Sequence, residues 1–182
     1  VKPVYDFIRE AGLLTTKTVW AFPSRDEFGG ETLSDPAYSD FILELASNGT
    51  EIGFHGAGSG DFGRTETLEA LELFKKLIGR YPELYINHAF NGQNLYWSDK
   101  RFTLLIGGIY KSIKRIFKMK DVPSRGEIEG SPYFWGDFAK REIKYIRNRV
   151  YTALNTLKGD HYMPYIDTAK ETYSNYWFSS SD

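Results

Sequence analysis

Cysteine is missing from this 182-residue chain. Its absence excludes disulfides and thiolate metal sites, and it leaves the compartment open. An excess of either charge is missing too. Lys and Arg total 23 against 24 Asp and Glu, so the net charge of −1 gives no global attraction to nucleic acid or to an anionic membrane. No apolar run approaches the ~20 residues that span a bilayer, and no signal-peptide pattern opens the sequence. Internal repeats and low-complexity tracts are also lacking, which excludes solenoids and linker arrays. Imidazole is scarce: the chain has three histidines.

What is present is an ordinary globular balance, with 41% hydrophobic and 26% charged residues. The length suits one domain with a sizeable core. Val1 is not an initiator, and 177–182 stop at what reads as a strand end. The expectation is one domain over 1–182, incomplete at both termini.

Local patterns alternate. Val4, Phe7, Ile8 and Ala11 have helical spacing, with Pro3 in the first turn and Gly12 as the stop. The β-branched and aromatic run at 15–22 reads as a strand ended by Pro23. Asp35 and Pro36 open a second helix, closed by Asn48-Gly49. A strand at 51–55, a helix at 65–78 stopped by Gly79, and a strand at 84–88 follow. Connections that contain helices imply parallel strands, hence an α/β sheet. Further on, the apolar residues of 102–117 predict a helix. Ile143, Ile146, Val150, Leu154 and Leu157 predict a long helix over 137–157, and a last strand is expected at about 174–179.

The stretch Glu51-Ile52-Gly53-Phe54-His55 is an apolar run that ends in a histidine, and glycines at 56, 58 and 60 then break it. Leu84-Tyr85-Ile86-Asn87-His88 ends the same way. Right-handed crossovers bring the carboxyl ends of parallel strands to one rim, where ligands bind. His55 and His88 therefore converge by topology, though 33 positions separate them. A neutral imidazole there suits a metal ligand or an acid–base group, and it equally suits a hydrogen-bonded strand cap. Asp61 reads as a cap for the next helix rather than as a ligand. His161 reads as a loop residue. Asn87, Asn91, Gln93, Asn94, Tyr96 and Trp97 mix amides with rings, which suits sugar hydroxyls and ring faces and also suits a turn-rich packed loop. Lys111, Lys114, Arg115, Lys118 and Lys120 read as a solvated helix face.

The segment Ala46-Ser47-Asn48-Gly49-Thr50-Glu51-Ile52-Gly53-Phe54-His55 resembles polysaccharide deacetylases of the NodB-homology, carbohydrate esterase type. In that family a glycine turn leads into a Glu-Ile-Gly strand that delivers a metal-binding histidine. The helix at 65–78 and the turn Gly79-Arg80-Tyr81-Pro82 share the likeness, which covers about 1–97. It implies a distorted (β/α) barrel and a divalent metal, often zinc, on the carboxyl rim. The implied activity is removal of acetyl groups from an acetylated polysaccharide or related glycan. His55 matches the family's first metal histidine. Ser59 stands where the family has its second, and His88 falls in its Arg-x-x-Pro-Tyr segment. The family's paired aspartates would precede Val1, and its late histidine would follow Asp182. The resulting expectation is a metal-dependent deacetylase. His55 and His88 are its metal ligands, His88 also its catalytic acid or base, and Asn87, Asn91 and Trp97 hold substrate. A non-catalytic carbohydrate-binding relic of the fold and a glycosidase on a similar barrel are the alternatives. The glycosidase needs a pair of carboxylates that the sequence does not identify.

Overall fold

The structure is a computed structural model that describes residues 2–88, 91–95, 112, 116, 124–151, 155–159, 162–166 and 175–181. Helix α1 (Lys2–Glu10) leads into strand β1 (Thr16–Val19). Helix α2 (Pro36–Ser47) and strand β2 (Glu51–Phe54) follow, then helix α3 (Arg64–Ile78) and strand β3 (Leu84–Ile86). After the 124–135 turns come helix α4 (Gly136–Glu142), strand β4 (Tyr145–Tyr151) and the short helix α5 (Thr156–Gly159). Strands β5 (Tyr165–Ile166) and β6 (Tyr176–Ser181) complete the described elements.

The strands form one open sheet in the order β1-β2-β3-β4-β6-β5. Five of them run parallel, as their helical connections require, and β5 pairs antiparallel with β6 at the edge. The helix ends follow local chemistry. The Ala37 amide donates to the Asp35 carboxylate over 3.0 Å, and Pro36 takes the first turn, where no amide proton is missed. Gly63 opens α3, and its amide donates to Glu66 Oε2 over 3.0 Å. Gly79 closes α3 at φ 86°, a left-handed conformation that costs glycine nothing.

Helices α2, α3 and α4 pack on one face of the sheet. Ile42, Leu45, Ala70, Leu71, Phe74, Phe138 and Ala139 meet Val19, Ile52, Phe54, Tyr85 and Ile146 in a single core. Side chains alternate along a strand, so the intervening residues point to the other face. A methyl group added at Gly53 would lie 3.2 Å from Leu84 and 3.3 Å from Thr18, which marks that second face across three strands. Among the described residues, no helix is long and apolar enough to cross a membrane.

The expected long helix over 137–157 is overturned. Seven residues form α4, and the chain re-enters the sheet as β4. Ile143, Ile146 and Val150 repeat at three and four residues and so imitate a helical stripe. They are also β-branched and stand among tyrosines, which favours extended backbone. Ile146 and Asn148 are buried and alternate with half-buried Tyr145 and Arg147, the period of a strand. Pairing on both sides, with β3 and with β6, settles the choice. The Asn175 amide, just before β6, donates to the carbonyls of Ala139 and Ile143 and so closes the C-terminal end of α4. The expected helix over 102–117 lies outside the described residues, apart from helical Ser112 and Ile116. The last strand lies two residues later than expected.

Candidate functional site

The register of the sheet builds the site. Val19 pairs with Phe54, so Trp20 and His55 leave the ends of β1 and β2 side by side, and the His55 amide donates to the Val19 carbonyl over 2.9 Å. On β3 and β4, Ile86 pairs with Arg147, and the Asn87 amide donates to the Arg147 carbonyl over 3.2 Å. Val19, Phe54, Tyr85 and Ile146 face the helices. Trp20, His55, Ile86, His88 and Arg147 therefore share the opposite face, the first four at the carboxyl ends of β1, β2 and β3 and Arg147 level with them within β4.

The two histidines meet there as the topology requires. Their ring centroids lie 5.1 Å apart, edge to face. Trp20 touches both, at 5.8 Å from His55 and 5.3 Å from His88, and Phe28 closes on His88 at 5.4 Å. Gly30 permits this packing, because a side chain there would stand 2.7 Å from the Trp20 ring. The loop that carries Phe28 is pinned by Asp26. Its carboxylate accepts from the Phe28 amide over 3.0 Å and from the Ser59 hydroxyl over 2.7 Å.

The electrostatics keep both imidazoles neutral at neutral pH. Burial pushes the His55 pKa down to about 3, helped by His88 and by the Arg147 and Lys17 charges. Burial also lowers His88, opposed by Asp26 and reinforced by Arg147. Nε2 of His88 and Nε1 of Trp20 are buried without a hydrogen-bond partner among the described residues. Leaving such a group unsatisfied costs about 1–3 kcal/mol, so the pair marks a place for a polar ligand or water.

The arrangement fits a divalent metal in part. Two neutral imidazoles suit zinc, and the orphaned Nε2 of His88 suits a ligand atom. Catalytic zinc sites use three protein ligands. Among the described residues, no group of three or more His, Asp or Glu converges. His161 and Trp97 lie outside the described residues.

The amides expected to hold sugar have another task. Asn87 and Asn91 are buried, and both ends of each amide bind backbone. Asn87 donates to the Leu95 carbonyl over 2.8 Å and accepts from its amide over 2.9 Å. Asn91 donates to the Gly58 carbonyl over 2.9 Å and accepts from the Gly60 amide over 2.9 Å. Gln93 binds Gly60 and Phe62, and Asn94 binds the backbone of His88. These side chains lock the glycine loop to the loop after β3, and thereby fix the backbones that carry the histidines. Asp61 is corrected as well. It does not cap α3, which Gly63 opens, and it accepts instead from the Gly92 amide over 2.6 Å and the Tyr133 hydroxyl over 3.1 Å.

Sequence reasoning missed Trp20, Asp26, Phe28 and Arg147. Trp20 carried a usable signal, because the rim argument applies to the end of β1 as it does to β2 and β3. Arg147 was hidden by the helix assigned over its strand. Asp26 and Phe28 sit in a polar loop with no periodicity to expose them. No protein-family model, curated protein or solved structure matches the chain.

Proposed function

We propose that this chain is a carbohydrate-acting acyl hydrolase of the polysaccharide deacetylase type, working at the His55–His88 pair. The observation that carries the reading is the approach of the two imidazoles to 5.1 Å on the carboxyl rim, with Nε2 of His88 buried and unpartnered. The wiring supports it. Strands follow one another in chain order from β1 to β4, and the helices between them pack on one face. That is how a (β/α) barrel is built, whereas a doubly wound sheet reverses direction and covers both faces.

His55 and His88 would hold a divalent metal. Such a metal supplies Lewis acidity to an acyl carbonyl and to water. The rest of the work falls to the chain. Burial keeps His88 unprotonated near neutral pH, so its Nε2 can either coordinate or take a proton from attacking water and return it to the leaving oxygen or nitrogen. Trp20 and Phe28 shield the pair from bulk water, and Trp20 Nε1 offers a donor to a substrate oxygen.

A glycan-binding role on the same fold is the second reading. It is favoured by Ser59, which binds Asp26 where the resembling family has a metal histidine. Acetate release from acetylated oligosaccharides, with and without chelator, separates the two. The hydrolase reading expects chelator-sensitive release that falls by about 100-fold or more in His55→Ala. Glycan binding that survives His55→Ala, with no release by the wild type, overturns it. Release that ignores chelator overturns its metal.

A further inference from the structure

The histidine pair is sealed as it stands. Nε2 of His88 and Nε1 of Trp20 are buried, so neither atom can meet a solute while the rim keeps this arrangement. Among the described residues, three rings pack on His88: His55 at 5.1 Å, Trp20 at 5.3 Å and Phe28 at 5.4 Å between centroids. Two of these belong to the sheet. The His55 amide is bonded to the Val19 carbonyl, and the Trp20 carbonyl accepts from the Leu33 amide over 2.9 Å. Phe28 differs, because it is 41% exposed and sits in the irregular loop between β1 and α2. That loop is tied at both ends. The Arg25 amide donates to the Ser59 carbonyl over 2.8 Å, and its guanidinium binds the Asp61 carbonyl over 2.9 Å and the Glu66 carboxylate. At the other end Thr32 and Leu33 are buried. Between these ties, residues 26–30 are exposed and make no backbone-to-backbone hydrogen bond among the described residues. Asp26 alone anchors them, through the Ser59 hydroxyl and the Phe28 amide. Segments with so few buried contacts open at the lowest free energy.

We propose that residues 26–30 form a lid over the histidine pair. Phe28 swings off His88 to admit a ligand, and the hydrogen bond between Asp26 and Ser59 is the latch that holds the lid down. The lid stands on the packing of the rim and holds whichever reaction the pair performs. For acyl transfer, a cover that opens and closes provides both entry and the exclusion of water. It also accounts for two buried polar atoms left without partners in the closed form, since they are the atoms that opening exposes.

Carbethoxylation of the metal-free full chain tests this. Diethyl pyrocarbonate transfers its ethoxycarbonyl group to an unprotonated imidazole nitrogen, and peptide mass mapping reads His88 by itself. The reaction is run at mildly alkaline pH, where free imidazole is unprotonated too. Wild-type His88 is expected to react about tenfold or more slowly than N-acetylhistidine, because the open form is the minor one. Phe28→Ala is expected to recover most of that factor with an unchanged circular dichroism spectrum. Ser59→Ala frees the latch but keeps the ring, and is expected to react about fivefold or more faster than wild type. The wild-type rate should change little in urea below the unfolding transition, since a short lid exposes little surface. Wild-type His88 as reactive as N-acetylhistidine, or as slow in Phe28→Ala as in wild type, overturns the lid. A wild-type rate that climbs with urea in step with global unfolding overturns it as well, and needs no variant to fold. A wild-type rate in Ser59→Ala beside a fast Phe28→Ala overturns the latch alone. Acyl release plays no part in this readout, so failure of the lid and failure of the hydrolase reading are told apart.

Discussion

Ser59 is fully buried, and its hydroxyl donates to Asp26 across 33 residues of sequence. On the proposed deacetylase reading, a metal histidine would be expected at that position. Here the same place holds a loop down. Asp26 in turn holds the Phe28 amide, and the Phe28 ring closes on His88. The effect of Ser59 therefore reaches the site through three contacts rather than through a ligand.

Ser59→Ala removes that anchor. We expect a loss of about 1–2 kcal/mol in denaturant unfolding, the range of a hydrogen bond to a partly exposed charged acceptor. Amide exchange around 26–30 should quicken. An unchanged exchange pattern would show that Asp26 is held by other means.

Asn91→Ala should cost more. It leaves the Gly58 carbonyl and the Gly60 amide without their partner inside a buried junction. We expect about 2–3 kcal/mol from urea unfolding. If Asn91 instead served substrate, stability would hold and only the Michaelis constant would change.

Acid sensitivity follows from His55. In the metal-free protein its pKa is pushed from 6.5 to about 3, by burial first and by His88 and Arg147 next. The unfolded chain takes up a proton near 6.5, and the folded chain does not until near 3. Between those values the unfolded state binds more protons, so this contribution is complete above 6.5 and is lost as pH falls towards 3. One such group gives a slope of up to ~1.4 kcal/mol per pH unit. His88, lowered in the same direction, adds to it. Unfolding free energies at several pH values should show a shallower slope in His55→Gln, and equal slopes would contradict the buried neutral imidazole.

Gly126→Ala probes the packing of the 124–135 turns on the loop after β3. A methyl group there would stand 2.3 Å from the Gln93 carbonyl oxygen, which is backbone and cannot swing away. We expect destabilisation of about 1–3 kcal/mol, the cost of overpacking a filled interior, read as a lower thermal midpoint. Wild-type stability would show that the turns have room to move.

Much of the frame was legible because it rests on local chemistry. Asp35-Pro36, Gly49 and Gly79 mark helix ends by capping and backbone rules that hold in any fold. The apolar runs at 51–54 and 84–86 then had to be strands joined by helices, and parallel pairing placed His55 and His88 on one rim. β4 was illegible for a physical reason. Three β-branched residues stand at helical spacing while their residue types favour extended backbone, and only pairing with β3 and β6 decides between the two. That error removed Arg147 from view. The amides of Asn87 and Asn91 were misjudged for a related reason: composition shows that donors and acceptors are present, but not whether backbone has already claimed them.

The central claim is that His55 and His88 form one site. With three histidines in the chain, a protein labelled with ¹⁵N at histidine gives three pairs of imidazole nitrogen signals, assignable by His→Ala variants. Titration with zinc at neutral pH is the most direct test. The account predicts that the His55 and His88 nitrogens shift together and are complete at one equivalent. A response from one of these imidazoles while the other stays unmoved, or from neither, would contradict it.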